Sequence, residues 1–189
     1  MPPKAKFTRE QIAQATLEII RDDGCEAVTA RALATKLGSS ACPIFTVFAN
    51  MDEVIDEAVK LAKAIYAQYV QKGLEQQPAF KGVGTQYIQF AKDEPKLFQL
   101  LFMTETDIAS VDNFLPEIDD NYTAILNSVQ VPYGLTENDA KNLYTHLTIY
   151  THGIATLIAR KVVTFTDADI DRMLTEVFIG LLKETKAKK

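Results

Sequence analysis

The stretch Val28 to Glu53, VTARALATKLGSSACPIFTVFANMDE, constrains the chain more than any other. Thr29 stands where a helix N-cap stands, and Leu33, Ala34 and Leu37 recur at the spacing of one buried stripe, so a short helix begins here. Gly38 ends it, and Gly38-Ser39-Ser40 makes a tight turn. A second short helix is expected from there to Phe48. Pro43 in a helix interior would break it at a cost of ~3 kcal/mol. With Ser40 as N-cap, however, Pro43 falls in the first turn, where its missing N–H would have no partner anyway. Ile44 and Phe48, four apart, then face a core, leaving Ala41, Cys42, Phe45 and Thr46 outward. Two short helices joined by such a turn form the unit whose second helix lies in the DNA major groove.

Upstream, Thr8 and Gln11 have the spacing of a capping box, and Ile12, Ala15, Thr16, Ile19 and Ile20 continue as one apolar helix face to Asp23, closed by Gly24. This helix would complete a three-helix head over residues 1–50, with Lys4 and Lys6 as a basic arm able to lie along phosphate. Asn50 and Glu53 cap a longer helix carrying Val54, Ile55, Ala58, Leu61, Ala62, Ile65, Tyr66 and Tyr69 to about Gln71, and Gly73 and Pro78 are read as its breakers. That helix opens the body, residues 51–189, and would let a shift in the body move the head.

The body reads as helical throughout. Helices are expected over Phe80 to Lys92, over Lys96 to Met103 behind Pro95, and over Leu115 to Val129 with Ile118, Tyr122, Ile125 and Leu126 inside. Asp107 to Asn113 reads as a loop and Val131-Pro132-Tyr133-Gly134 as a turn. Thr136 with Asp139 caps a long helix to about Val163, and Thr166 with Asp169 caps the last, to about Lys183. The tail Lys186-Ala187-Lys188-Lys189 is placed favourably at a helix C-terminus. No segment alternates long enough to demand a sheet, so the fold class is all-α.

Composition narrows the function. No apolar run spans a bilayer and MPPKAKFT carries no signal sequence, so a cytoplasmic protein without membrane contact is expected. Cys25 and Cys42 have no C-x-x-C spacing and read as reduced thiols. With His146 and His152 as the only histidines, and no Gly-rich phosphate loop, neither metal nor other cofactor is expected, and nothing points to an enzyme. Residues 1–50 hold six Lys or Arg against five Asp or Glu, a charge of +1; the total of 20 against 25 leaves −6 for the remainder. A near-neutral head on an acidic body suits a chain whose head alone approaches phosphate.

Residues Ile12, Ala15, Gly24, Val28-Thr29, Arg31, Leu33-Ala34, Leu37-Gly38, Ser40, Ile44, Phe48, Asn50 and Glu53 resemble, in order and spacing, the head of TetR-family (TetR/AcrR type) transcriptional regulators. Tyr87 to Ala91, Glu94 to Phe98 and Thr151-His152-Gly153 resemble the body of one subgroup. The resemblance implies a homodimer, with the last two long helices of each chain in a four-helix bundle, and a small-molecule pocket in each body. It also exposes departures. Phe45 replaces a usual Tyr and cannot bond phosphate; Val47 replaces His, Met51 replaces Lys, and Ala41 replaces a longer polar residue. Each removes a contact of the kind that supplies affinity.

The candidate DNA-binding residues are Lys4, Lys6, Thr29, Arg31, Ser39, Ser40, Ala41, Cys42, Phe45 and Thr46, with apolar side chains available for thymine methyls. Lys36 is a lesser candidate, because a solvated surface charge explains it better. Phe90, Phe98, Phe102, Tyr122, Tyr144, Tyr150 and His152 are candidates for an effector that is apolar or aromatic, although aromatics at this spacing also serve as plain core. His146 lies six residues before His152, off its face, against a shared metal. The chain therefore reads as a dimeric repressor released from a pseudo-palindromic operator by a small molecule. The rival reading is a ligand-binding helical protein on the same scaffold whose specific DNA binding is weak or lost.

Overall fold

The computed structural model describes residues 6–105, 115–116 and 119–187. Lys4, the segment Asp107 to Asn113, Ile118, Lys188 and Lys189 lie outside the described residues. The described chain contains eight α-helices and no strand: α1 Arg9–Asp23, α2 Ala30–Lys36, α3 Met51–Leu74, α4 Ala79–Asp93, α5 Pro95–Phe102, α6 Tyr122–Tyr133, α7 Glu137–Ala159 and α8 Asp167–Ala187. They form two compact units, residues 1–65 with 94–104 and residues 66–93 with 105–189, and the boundary falls inside α3.

In the first unit the capping box of α1 is complete. The Gln11 N–H donates to Thr8 Oγ1 at 3.2 Å and Gln11 Oε1 accepts the Thr8 N–H at 2.9 Å. Ile12, Ala15, Thr16, Ile19 and Ile20 are buried as their spacing demands, and α1 packs on α2 and α5. Arg21 reinforces the second contact, donating from Nε and Nη2 to the two carboxylate oxygens of Glu94 at 3.0 and 2.7 Å. Leu97 and Phe98 of α5 are fully buried there.

The second helix of the head does not form as an α-helix. A single 3₁₀ turn, Ile44–Thr46, stands between Pro43 (φ −61°, ψ −25°) and Val47, and Ser40 makes no capping bond. Pro43 supplies no N–H to an incoming helix and biases Cys42 away from helical backbone, while Ile44, Thr46 and Val47 are β-branched. The turn still orients its side chains as the spacing requires, with Ile44 and Phe48 buried and Cys42, Phe45 and Thr46 exposed.

In the second unit α4 packs chiefly on α7 and also on α6 and α8, and α7 packs on α8. Gly73 does not end α3, which runs on to Leu74. It is buried where α3 meets the backbone of α4: a Cβ there would lie 2.6 Å from Val83 Cα. Nor do residues 131–133 form a turn, since α6 runs through Pro132 to Tyr133. Pro132 sits in the last turn with a φ already suited to a helix. The real stop is Gly134 at φ 62°, where its N–H reaches Val131 O at 3.3 Å and the Leu135 N–H reaches Gln130 O at 3.1 Å, a Schellman closure with Leu135 buried beneath it. α7 ends at Ala159, short of Val163, and α8 continues to Ala187.

Candidate functional site

Two groups of residues hold more chemistry than packing needs. The first is the exposed edge of the head, Ser39 to Thr46. Asn50 Oδ1 accepts the Glu53 N–H at 2.8 Å and Glu53 Oε2 accepts the Ala49 N–H at 2.7 Å, so the chain leaves the 3₁₀ turn through a fixed helix cap. Arg9 clamps the same corner. Its guanidinium donates to Val47 O at 3.1 Å, pairs with Glu53 at 2.8 Å and Glu57 at 3.1 Å, and lies 4.2 Å from the Phe48 ring centre. The hydrogen bonds to Glu53 and Glu57 raise the guanidinium pKa, and the Ala49 N–H with Arg9 lowers that of Glu53. The turn is held by charge-assisted bonds from outside as well as by Ile44 and Phe48 from beneath.

Within this edge, Lys6 Nζ donates to Ser39 Oγ at 3.0 Å, which brings the basic arm to the turn. Thr29 caps α2, its Oγ1 accepting the Ala32 N–H at 3.1 Å. Arg31 is exposed, and no ion pair engages its guanidinium among the described residues. Lys36 is drawn back onto α1 instead, 3.1 Å from Glu18 and 3.8 Å from Asp22, and the Glu18 bond raises its pKa. Thr46 spends its hydroxyl proton on Pro43 O at 2.7 Å and offers solvent an acceptor only. Ser40 and Cys42 are exposed, Ala41 is half-buried and Phe45 is 46% exposed.

The second group lies inside the second unit. Tyr66 donates its hydroxyl to Asp119 Oδ2 at 2.7 Å, and the Asp119 side chain is buried. Asp119 Oδ1 accepts the Asn121 N–H at 2.8 Å and its side-chain N–H at 3.0 Å, turning the chain into α6. The Tyr66 and Tyr87 rings meet edge to face at 6.0 Å, and the Tyr87 hydroxyl shares a 2.9 Å hydrogen bond with His152 Nδ1. Phe90 packs against Tyr66 and Tyr69 with centres 5.4 and 5.3 Å away, and Tyr122 stacks on Tyr144 at 5.9 Å. Burial first, and the Asp119 charge second, push the phenol pKa values of Tyr66, Tyr87 and Tyr144 up, so all three remain hydrogen-bond donors at any physiological pH. Burial alone lowers that of His152.

A family model described as "Tetracyclin repressor-like, C-terminal domain" matches residues 80–179, which is 100 of the 189 residues. The chain belongs to the tetracyclin repressor-like family. No curated protein matches it. Among the described residues of this tetracyclin repressor-like chain, no helix is long and apolar enough to cross a membrane.

The seven aromatic and histidine candidates divide between the two units. Phe90, Tyr122, Tyr144, Tyr150 and His152 belong to the second unit, whereas Phe98 and Phe102, 5.5 Å apart, belong to the first. Sequence reading passed over Asp119 and gave Tyr66 and Tyr87 no role beyond their helices. Tyr66 and Tyr87 carried a signal, a hydroxyl within an apolar stripe; Asp119, in an Asp-Asp pair beside a helix start, carried none.

His152 gives a pH dependence with a definite sign. Because the folded protein disfavours the charged ring, the unfolded chain binds its proton first as pH falls, so this residue's contribution is complete above pH ~6.5 and declines below it. Urea midpoints at pH 7.5 and 5 should show wild type losing more stability than His152→Gln over that interval. Equal losses would mean the ring takes its proton equally well in both states.

Proposed function

We propose that this chain is a dimeric DNA-binding repressor whose release from its operator is controlled by a small molecule bound in the second unit. The observation that carries the DNA half is the outward edge Ser39 to Thr46: it is exposed yet fixed, by Ile44 and Phe48 below and Arg9 and Glu53 at its end. Lys6, Thr29, Arg31, Ser39, Ser40, Ala41, Cys42, Phe45 and Thr46 would meet the duplex, Lys6 and Arg31 on phosphate and Ala41, Cys42 and Phe45 on thymine methyls. Lys4 would extend the arm. Thr29 sits at a helix N-terminus, where backbone amides face outward and favour phosphate.

Dimerisation supplies the second half-site. Ile149, Gly153 and Leu157 recur every four residues along α7, and Ile149 and Leu157 are exposed. A Cβ built on Gly153 of α7, or on Gly180 of α8, meets nothing within 4 Å among the described residues. An apolar stripe with room for close approach supports an isologous contact through α7 and α8 of two copies.

A specific observation favours the rival reading of a ligand-binding protein with weak DNA affinity: at the edge, Lys36 is occupied by Glu18 and Asp22 and the Thr46 proton by Pro43. A gel-shift titration over the chain's own upstream region separates the two. Sequence-specific retention that weakens linearly in log salt is the expected outcome; retention only at low salt and on any sequence would overturn the repressor.

A further inference from the structure

We infer that Asp119, with Tyr66, Tyr87 and Tyr144 around it, forms a recognition site for an organic ammonium ion carrying an aromatic body. This deepens the proposed function: it rests on the reading that the second unit binds a small molecule, and it assigns that molecule a positive charge.

Asp119 is 7% exposed, and its partners, the Tyr66 hydroxyl and the two N–H groups of Asn121, are all neutral. None of the ion pairs of the described residues reaches it. Burial of an ion that no opposite charge compensates is strongly unfavourable. Part of that cost is met at Oδ1, which faces the start of α6, where the helix dipole favours negative charge. Oδ2 has only a phenol. A carboxylate accepts at about four positions, and the bonds from Tyr66 and Asn121 occupy three, two of them on Oδ1. The position left among the described residues is on Oδ2, beside the Tyr66 ring.

The surroundings select the charge of what would fill it. The Tyr66 hydroxyl sits on Oδ2 at 2.7 Å, the Tyr87 ring meets that of Tyr66 edge to face at 6.0 Å, and Tyr144 stacks on Tyr122 at the start of α6; the Asp119 charge helps to raise the pKa of all three phenols. Aromatic faces attract cations and repel anions, in the same sense as the carboxylate itself. His152, the basic side chain bonded to this group through Tyr87, is held toward its neutral form by burial and supplies no opposing positive charge. An ammonium N–H would take the free position on Oδ2 while its aromatic body lies against the tyrosine rings. A carboxylate or phosphate would meet like charge and, among the ion pairs of the described residues, no cation that reaches Asp119.

Phenethylammonium, 2-phenylethanol and phenylacetate differ in one end group and test this by titration calorimetry on the full chain without DNA. Phenethylammonium is expected to bind at least about ten-fold tighter than the alcohol, as befits a hydrogen bond between charged groups, and phenylacetate not at all. Asp119→Asn keeps the side-chain oxygen that turns the chain into α6. It is expected to lose about ten-fold in ammonium affinity, a larger loss than for the alcohol, with the circular dichroism spectrum unchanged. Equal affinity for ammonium and alcohol, tighter binding of phenylacetate, or no binding by any of the three overturns the assignment in wild type alone, whatever the fate of the variant. If the alcohol or phenylacetate binds as well or better, small-molecule binding stands and only the charge is wrong. The gel-shift result is independent of all these outcomes, so the DNA reading fails or survives separately.

Discussion

Gly73→Ala is expected to destabilise the protein by ~2 kcal/mol, against the helix propensity that would favour alanine by about 1 kcal/mol. The sign follows from what the new methyl group meets. Its Cβ would lie 2.6 Å from Val83 Cα, 2.7 Å from Val83 N and 2.8 Å from Gly82 C, all backbone atoms that no rotamer change can move. The reciprocal contact, a Cβ on Gly82 against Gly73 O, is closer still. In a chain of this size ~2 kcal/mol lowers the unfolding temperature by roughly 4–8 °C. Gly84→Ala is the control on the same helix, α4. Its Cβ would meet Leu174 Cδ1 at 3.6 Å, an ordinary contact, so propensity wins and the unfolding temperature rises. Differential scanning calorimetry of the two variants reads both signs. A Gly73→Ala protein as stable as wild type would mean that α3 and α4 do not approach as closely as their backbones indicate.

The same glycine shows where sequence reading stops. Helix caps are local chemistry: at Thr8, Asn50, Thr136 and Thr166 the cap side chain accepts the N–H three residues on, as the spacing names, and at Thr8 and Thr166 the reciprocal bond closes the box. Apolar stripes were legible for the same reason: a period of 3.6 needs no knowledge of the neighbour. Gly73 reads as a stop because a helical glycine has a propensity cost, and its role appears only once α4 lies across it. Pro132 misled similarly. Its fixed φ is tolerated in the last turn of α6, and the stop belongs to Gly134, whose left-handed backbone is a stronger signal than the proline. At Pro43 the opposite occurred, since a proline admitted to a first turn on capping grounds leaves only a 3₁₀ turn between Pro43 and Val47. The edge of the head was nonetheless legible by burial, because Ile44 and Phe48 must face inward under either backbone. The Asp119 group was not legible, because it joins α3, α4, α7 and the start of α6, and no spacing links Tyr66 to a carboxylate 53 residues away.

If two copies join through α7 and α8, placing a charge on the exposed stripe should separate them and remove operator binding together. Ile149, 57% exposed, and Leu157, 37% exposed, cover little of the chain's own core, so Ile149→Asp with Leu157→Asp leaves the monomer folded. In the dimer the same carboxylates would be buried against like charge from the partner copy, a penalty of several kcal/mol per ion. Sedimentation velocity is expected to show a monomer. The second half-site then binds without the effective concentration that linkage provides, and operator retention falls by about 100-fold or more. Val131→Asp, on a residue 73% exposed in α6, adds the same charge away from the stripe and leaves both measurements at wild-type values. A double variant that stays dimeric would move the interface off this stripe. A monomer that keeps full operator affinity would mean that one head suffices, and the spacing of two heads would then have no part in control.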